Sequence, residues 1–261
     1  MTRAASETGF SQSLERGLAI LSAFTPDSPY LGISEVARKL DLTRSTAHRY
    51  VATLATLGYL QQDDATRKYR LGSRVLDLGF STLGSFGLRE IAAPHLRRLT
   101  DTTGYTTNIA IRDDTDVILI DRVRGRPGRY HQFEFTLHVG SRLPSYCSAI
   151  GKAMLAYLPR PELDHLLDRV EFVQHGPRTV PSRSALLSQL ESVRRTGVAV
   201  NDEELYNSIR SIAVPVRSRS GDVVASINIA FPWSPVPVTE LTSEFGPALK
   251  SAASQIAARV I

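Results

Sequence analysis

Apolar residues recur at helical spacing over 12–24, at Leu14, Leu18 and Leu21 with Ile20 and Phe24 beside them, which predicts a helix with one buried stripe. The breaker stretch TPDSPYLG follows. Ser34 is then the expected N-cap of a short helix, EVARKL, with Ile33 as its hydrophobic staple. Thr43 is the expected cap of RSTAHRYVATLATL, which Gly58 ends. Residues 59–71 read as two short strands around the polar tip Asp63-Asp64-Ala65-Thr66, and 72–87 keep a helical stripe through Leu76, Phe80 and Leu83. A further helix over 88–102 runs up to Gly104. Beyond it the period falls to two in TTNIAIRD, TDVILIDRV and RYHQFEFTL, the alternation of strands. Helical spacing returns in SAIGKAMLAYL, PELDHLLDRV and SRSALLSQLESVRRTG, the last capped at Ser182. Strands resume with SIAVPVRS and VVASINIAF around Ser220-Gly221-Asp222, and a closing helix starts near Thr239. Strands joined by hairpins, without regular βαβ alternation, predict an antiparallel sheet and an α+β chain.

Composition narrows the class. The 261 residues are 42% hydrophobic and 22% charged, a globular balance, and the length suggests two domains. The single cysteine, Cys147, excludes an intramolecular disulfide, and no Cys/His cluster has zinc-ligand spacing, so neither metal nor cofactor is expected. No apolar run is long enough to span a bilayer and the first residues lack a signal-peptide core, so the expected compartment is the cytoplasm, with no membrane partner.

The net charge of +5 is concentrated. Arg38, Lys39, Arg44, Arg49, Arg67, Lys68, Arg70 and Arg74 face only Asp41, Asp63 and Asp64, a local surplus equal to that of the whole chain. Either this segment meets a polyanion or it is a solvated surface. Helix, short turn, helix and basic hairpin is the layout of a winged helix-turn-helix. In its second helix Ala47, Val51 and Leu54 form one stripe, edged by Tyr50 and Leu57, whereas Arg44, Ser45, His48 and Arg49 point the other way. A recognition helix needs that division: early turns in the major groove, far end in the core. Arg44 or Arg49 can bond guanine O6 and N7, while Ser45, Thr46 and His48 can reach bases or phosphates. Arg67 and Lys68 on the hairpin would meet phosphates or the minor groove; Ser34 and Thr43 complete the candidate DNA set.

These residues also carry a resemblance. QSLERGLAILSAF, ISEVARKLDLTRSTAHRYVATLATLGYLQ and RKYRLGSRVLDLG resemble the N-terminal half of the IclR family of transcriptional regulators. The likeness continues in family order through HVGSRLPSYCSAIGKAMLAYLP, GVAVNDEELYNSIRSIAVPV and VVASINIAFP. The block GSRLPSYCSAIGKAMLA is most similar to the subgroup governing aromatic-acid catabolism through the β-ketoadipate pathway. The resemblance implies a winged helix-turn-helix over 11–72, a linker helix over 73–87 and an effector-binding, oligomerising domain over 88–261, with an antiparallel GAF/PAS-like sheet and flanking helices. It implies dimers or tetramers on palindromic double-stranded operators, modulated by a small organic acid. The pocket lining it implies is Phe133, Phe135, Leu143, Ser148, Ala149 and Ile150, with polar contacts from Asn201, Asp202, Ser211 and Asn228.

Residue chemistry leaves alternatives beside that picture. Ser145, Cys147 and Ser148 at a helix start can offer N–H groups to a carboxylate, or simply cap the helix. Phe133 and Phe135 suit a planar ring, or the core. His131 and His138 can bond a ring hydroxyl, though they read more simply as surface or satisfied histidines. The run Arg122, Arg124, Arg126 and Arg129 can form a second anion surface, though a solvated hairpin tip or subunit contact is the simpler reading. Cys147 can be a nucleophile with a lowered pKa, making a thiol hydrolase, or a small buried apolar residue. No GxSxG or HExxH motif is present, and Tyr146 stands where a phosphate loop ending in Gly151-Lys152 needs glycine, so no enzyme is expected. A DNA-binding architectural protein without ligand sensing is the remaining alternative.

Overall fold

The computed structural model describes residues 9–25, 27–85, 87–125 and 137–260, with 80–85 as backbone only. Phe133, Phe135, His131, Arg126 and Arg129, and most of the strand expected in RYHQFEFTL, lie outside the described residues. The chain divides into two compact units, 1–85 and 86–261.

In the first unit Thr43 accepts a hydrogen bond from the Thr46 N–H (3.2 Å) and opens helix α3 (Arg44–Thr56). Helix α1 (Gln12–Ser22) and helix α2 (Ile33–Lys39) pack beside it around Ile20, Val36, Ala47 and Val51. Strands β1 (Leu60–Gln62) and β2 (Tyr69–Leu71) form the hairpin, with Leu60 opposite Leu71. Tyr69 and Leu31 exchange both backbone hydrogen bonds (2.9 and 3.0 Å), stitching the hairpin to the α2 approach. Helix α4 (Arg74–Ser85) closes the unit.

Two expectations are corrected. Gly32, not Ser34, is the N-cap of α2: the Glu35 carboxylate three residues on accepts the Gly32 N–H at 2.7 Å, so Ile33 starts the helix and Ser34 lies exposed in its first turn. The Leu14 and Leu18 stripe of α1 is not buried either. These side chains are 63% and 54% exposed, because α1 turns Ile20 towards α3.

The second unit is an α+β layer structure on a six-stranded antiparallel sheet, order β5-β4-β3-β8-β7-β6. The strands are β3 (Thr106–Asp113), β4 (Asp116–Val123), β5 (Arg142–Pro144), β6 (Ala199–Asp202), β7 (Ile209–Arg217) and β8 (Val223–Pro232). Helix α5 (Leu88–Thr103) lies over Thr107, whose hydroxyl donates to the Leu96 carbonyl at 3.1 Å, and helix α9 (Val238–Ala257) packs on β7 and β8. The opposite face, that of Asn108 and Ala110, carries helix α6 (Ala149–Leu155), backed by α7 (Arg160–Leu167) and α8 (Arg183–Thr196). Ala110, Leu119, Leu143, Ile150, Met154, Leu186 and Ala213 make the core there. The edge strands β5 and β6 were not anticipated; three and four residues are too short to show alternation.

Candidate functional site

In α3 the buried Ala47 and Val51 anchor one side, and Arg44, Ser45, His48 and Arg49 are exposed on the other. Thr46 is half-buried, and its hydroxyl accepts from that of Thr43 at 2.8 Å. The polar edge thus stands on a helix whose start is fixed by a cap and whose middle is fixed by the core. Leu57, expected at the margin of the stripe, is exposed.

The tip of the wing is closed by hydrogen bonds. Asp63 accepts the Thr66 N–H (2.7 Å) and hydroxyl (2.7 Å), and the Asp63 N–H donates to the Lys68 carbonyl at 2.8 Å. Arg67 takes a left-handed φ of +59° at the turn and projects its exposed side chain. Lys68 differs from a free phosphate contact: its Nζ lies 3.2 Å from Glu35 Oε2. The Gly32 N–H first, and then Lys68, hold the Glu35 carboxyl below the usual carboxylate range. Lys68 therefore fastens the wing to α2. Exposed Arg38 and Lys39, in the last turn of α2, add positive charge beside α3.

In the second unit the register assembles a polar floor on the α6 face. One row runs Arg122, Asn108, Asn228, Ala213 and Ala199 across β4, β3, β8, β7 and β6; the next runs Thr106, Ala230, Ser211 and Asn201. Asn108 Nδ2 donates to Asn228 Oδ1 at 2.7 Å, and Arg122 donates to Asn108 Oδ1 at 3.1 Å. Alanines at positions 213 and 230 keep the floor low between these groups. Asn201 Nδ2 donates to the Cys147 carbonyl (2.8 Å), which ties the approach to α6 to this polar end.

The residues expected around an effector fall into two sets. Ser211, Asn228, Leu143, Ala149 and Ile150 are buried on or against this face. Ser148, Asn201 and Asp202 already serve the fold. Ser148 caps α6, accepting the Gly151 N–H (3.2 Å) and donating to the Pro144 carbonyl (2.8 Å). Asn201 Oδ1 accepts the Glu204 N–H, and Asp202 pairs with Arg210 (2.5 Å) and with Arg178. Asn108 and Arg122 were missed as members of the floor. Strand alternation marks Asn108, in phase with buried Ala110, but a β-bulge between Ile109 and Ala110 shifts the β3–β4 register, so Arg122 falls out of step with Val117 and Leu119 of the same face.

Cys147 is wholly buried, and desolvation pushes its thiol up to about 12, opposite to the lowered value a thiolate nucleophile requires. Ser145 donates to the Thr115 carbonyl, so the stretch before α6 is a packed junction. His138 is exposed and bonds its neighbour's carbonyl. Among the described residues no cluster of His, Cys, Asp and Glu can hold a metal ion, and no helix is long and apolar enough to cross a membrane.

Comparison with known proteins matches this geometry. Residues 13–64 fit the IclR helix-turn-helix domain, and residues 80–258 the bacterial transcriptional regulator IclR C-terminal family. The chain is 33% identical to the Pca regulon regulatory protein of Pseudomonas putida, over 95% of this chain and 83% of that one. A transcriptional regulator from Rhodococcus sp. RHA1 superposes with a TM-score of 0.81 at 36% identity, covering 96% and 98% of the two chains. An IclR homologue from Microbacterium hydrocarbonoxydans, solved in complex with 4-hydroxybenzoate, gives 0.81 at 27% identity over 95% and 98%. With both of its units accounted for, the chain belongs to the IclR family, as a transcriptional regulator that binds DNA through its helix-turn-helix.

Proposed function

We propose that the regulator senses a small organic acid, most simply an aromatic one, on the α6 face of its second unit, and binds palindromic operators as a dimer or higher oligomer inside the cell. The observation that carries the sensing is the row Arg122–Asn108–Asn228, a cation and two amides bonded in line over a floor of small residues beside Ser211. Such a row offers charge and hydrogen bonds to a carboxylate or ring hydroxyl, and the apolar wall of Leu143, Ala149 and Ile150 suits a ring. The 4-hydroxybenzoate held by the Microbacterium homologue, and the regulon governed by the Pseudomonas relative, support the aromatic class and the β-ketoadipate subgroup. Phe133 and Phe135 belong to this proposal as ring contacts, with Asn201, Asp202 and Ser148 shaping its border. On the DNA side, Arg44, Ser45, Thr46, His48 and Arg49 read the major groove, Arg67 meets the backbone, and Ser34, Thr43 and Lys68 position them. Domain roles follow the segments 11–72 for DNA, 73–87 for linkage and 88–261 for effector and self-association.

A thermal-shift panel tests the sensing. Protocatechuate, 4-hydroxybenzoate, β-ketoadipate, muconate and short keto acids are each added to the full chain, since a ligand of the native state raises its melting temperature. At least one aromatic acid raises it for wild type and fails to do so for Asn228→Ala. A panel without any shift favours an architectural DNA-binding protein.

A further inference from the structure

Strand β7 outruns its neighbour. The β6–β7 ladder begins at Ala199 opposite Ala213, so Val214 to Arg217 continue without β6 beside them. The space left over is a notch of about 330 Å³ between that edge, α9 and the chain following α6. Val214 and Ala253 give it an apolar floor, and Tyr157 one wall. Two cations stand at its rim. The Arg217 guanidinium lies 5.0 Å from the Tyr157 ring centroid and spends only Nε, donated to the Gly221 carbonyl at 2.9 Å. Lys250 Nζ gives one hydrogen bond, to the Thr196 carbonyl at 2.7 Å. Among the described residues neither joins an ion pair, whereas Arg142, Arg160, Arg169, Arg178 and Arg183 of the same unit each hold a carboxylate. Gly197, at φ +73° in the C-cap of α8, leaves room for the lysine stem: a Cβ there would sit 3.2 Å from Lys250 Cε.

We propose that this notch is a separate anion site, taking a small carboxylate whose apolar body rests on Val214 and Ala253 while Arg217 and Lys250 hold its charge. The volume lies at the low end of small-molecule pockets, so the class is a compact acid of benzoate size. The charged rim supplies charge-assisted hydrogen bonds, and the Arg217–Tyr157 stack fixes the guanidinium before the ligand arrives. The site is formed by β7 and α9 and shares no residue with the Arg122–Asn108–Asn228 row, so it stands or falls independently of effector sensing there.

The chain has four lysines, Lys39, Lys68, Lys152 and Lys250, of which Lys152 is 1% exposed. Reductive ¹³C-methylation of the full chain therefore gives few dimethyl-lysine NMR signals, and the variant Lys250→Arg identifies the one that matters. Titration with sodium benzoate moves the Lys250 signal saturably, at a Kd of about 1 mM or tighter. It leaves Lys39 and Lys68 in place, and Arg217→Gln weakens the response roughly tenfold. Asn228→Ala does not change it, which separates the notch from the sheet face. Benzyl alcohol, which lacks the charge, gives no shift. Three results overturn the proposal: Lys250 moving linearly in step with Lys39 and Lys68, benzyl alcohol matching benzoate, or inorganic phosphate saturating the signal as tightly as benzoate.

Discussion

Exposure and burial of single side chains decide what each charged or reactive group of this regulator can do. Arg44 and Arg49 stand on the free edge of a helix that Ala47 and Val51 fix to the core, so only their side chains, not the backbone that carries them, have to be ordered when they meet a base. Replacing whichever arginine reads a guanine with alanine costs about 1–3 kcal/mol of specific affinity. A mobility-shift titration at fixed salt reads this directly, and equal affinity of both variants to wild type removes the assignment. Cys147 shows the reverse case. Burial leads its upward shift to about 12, with the Glu204 carboxylate adding to it. Because the folded value is raised, the thiol's contribution is complete below the unfolded pKa of about 8.5 and is lost as pH climbs towards the folded one. Stability therefore falls across the window from about pH 8.5 to 12, and Cys147→Ala flattens part of that fall in urea titrations. The same burial makes the native thiol inert to a thiol reagent at neutral pH until denaturant opens the unit; rapid labelling without denaturant contradicts it. Lys152 lies beside it, its Nζ 2.5 Å from Glu204 Oε1 and 2.7 Å from Gln189 Oε1. Desolvation lowers the lysine and raises the glutamate. Such a pair is weak evidence of net stabilisation, yet costly to break from one side.

At the scale of elements, the apolar pattern located most helices and long strands but not what covers them. The α1 stripe is the plainest case. Leu14 and Leu18 have the spacing of a buried face, and the periodicity is real, but one unit cannot say whether its partner is the same chain or another surface. Leu76 and Leu78 of α4 are exposed in the same way. Large apolar side chains standing in solvent suit an interaction surface, and we infer that α1 adds to the self-association proposed for 88–261. Leu14→Glu with Leu18→Glu should shift the chain towards monomer in sedimentation and weaken operator binding, without lowering the melting temperature of the second unit; an unchanged assembly state refutes this use. Capping was legible where one side chain decided it, at Thr43, Ser148 and Ser182. It was misread at Ser34, because the Glu35 carboxylate competes for the same helix start from inside. The polar floor was half legible. Ser211 and Asn228 came through family likeness, whereas Asn108 and Arg122 become neighbours of Asn228 only through pairing between residues 120 and 14 positions apart, which no local pattern encodes.

Across the whole molecule, a DNA-reading unit and a unit carrying a polar floor form one regulator only if their ligands are energetically coupled. Coupling is a free energy, and it is reciprocal. If a bound acid changes operator affinity by some factor, operator DNA must change affinity for the acid by the same factor, in the same direction. Typical couplings of about 1–3 kcal/mol correspond to roughly 5–150-fold, well within titration range. The acid found by thermal shift is therefore titrated by calorimetry into free protein and into protein saturated with operator, and the operator is titrated with and without acid. Matching factors different from one show that both sites bias one equilibrium. Asn228→Ala, which no longer takes the acid, should show the same operator affinity with and without it, at the wild-type acid-free value, since that residue belongs to the sheet and not to α3. A factor of one in wild type, with the acid still bound, leaves two independent binding units and removes allosteric control from the proposed function.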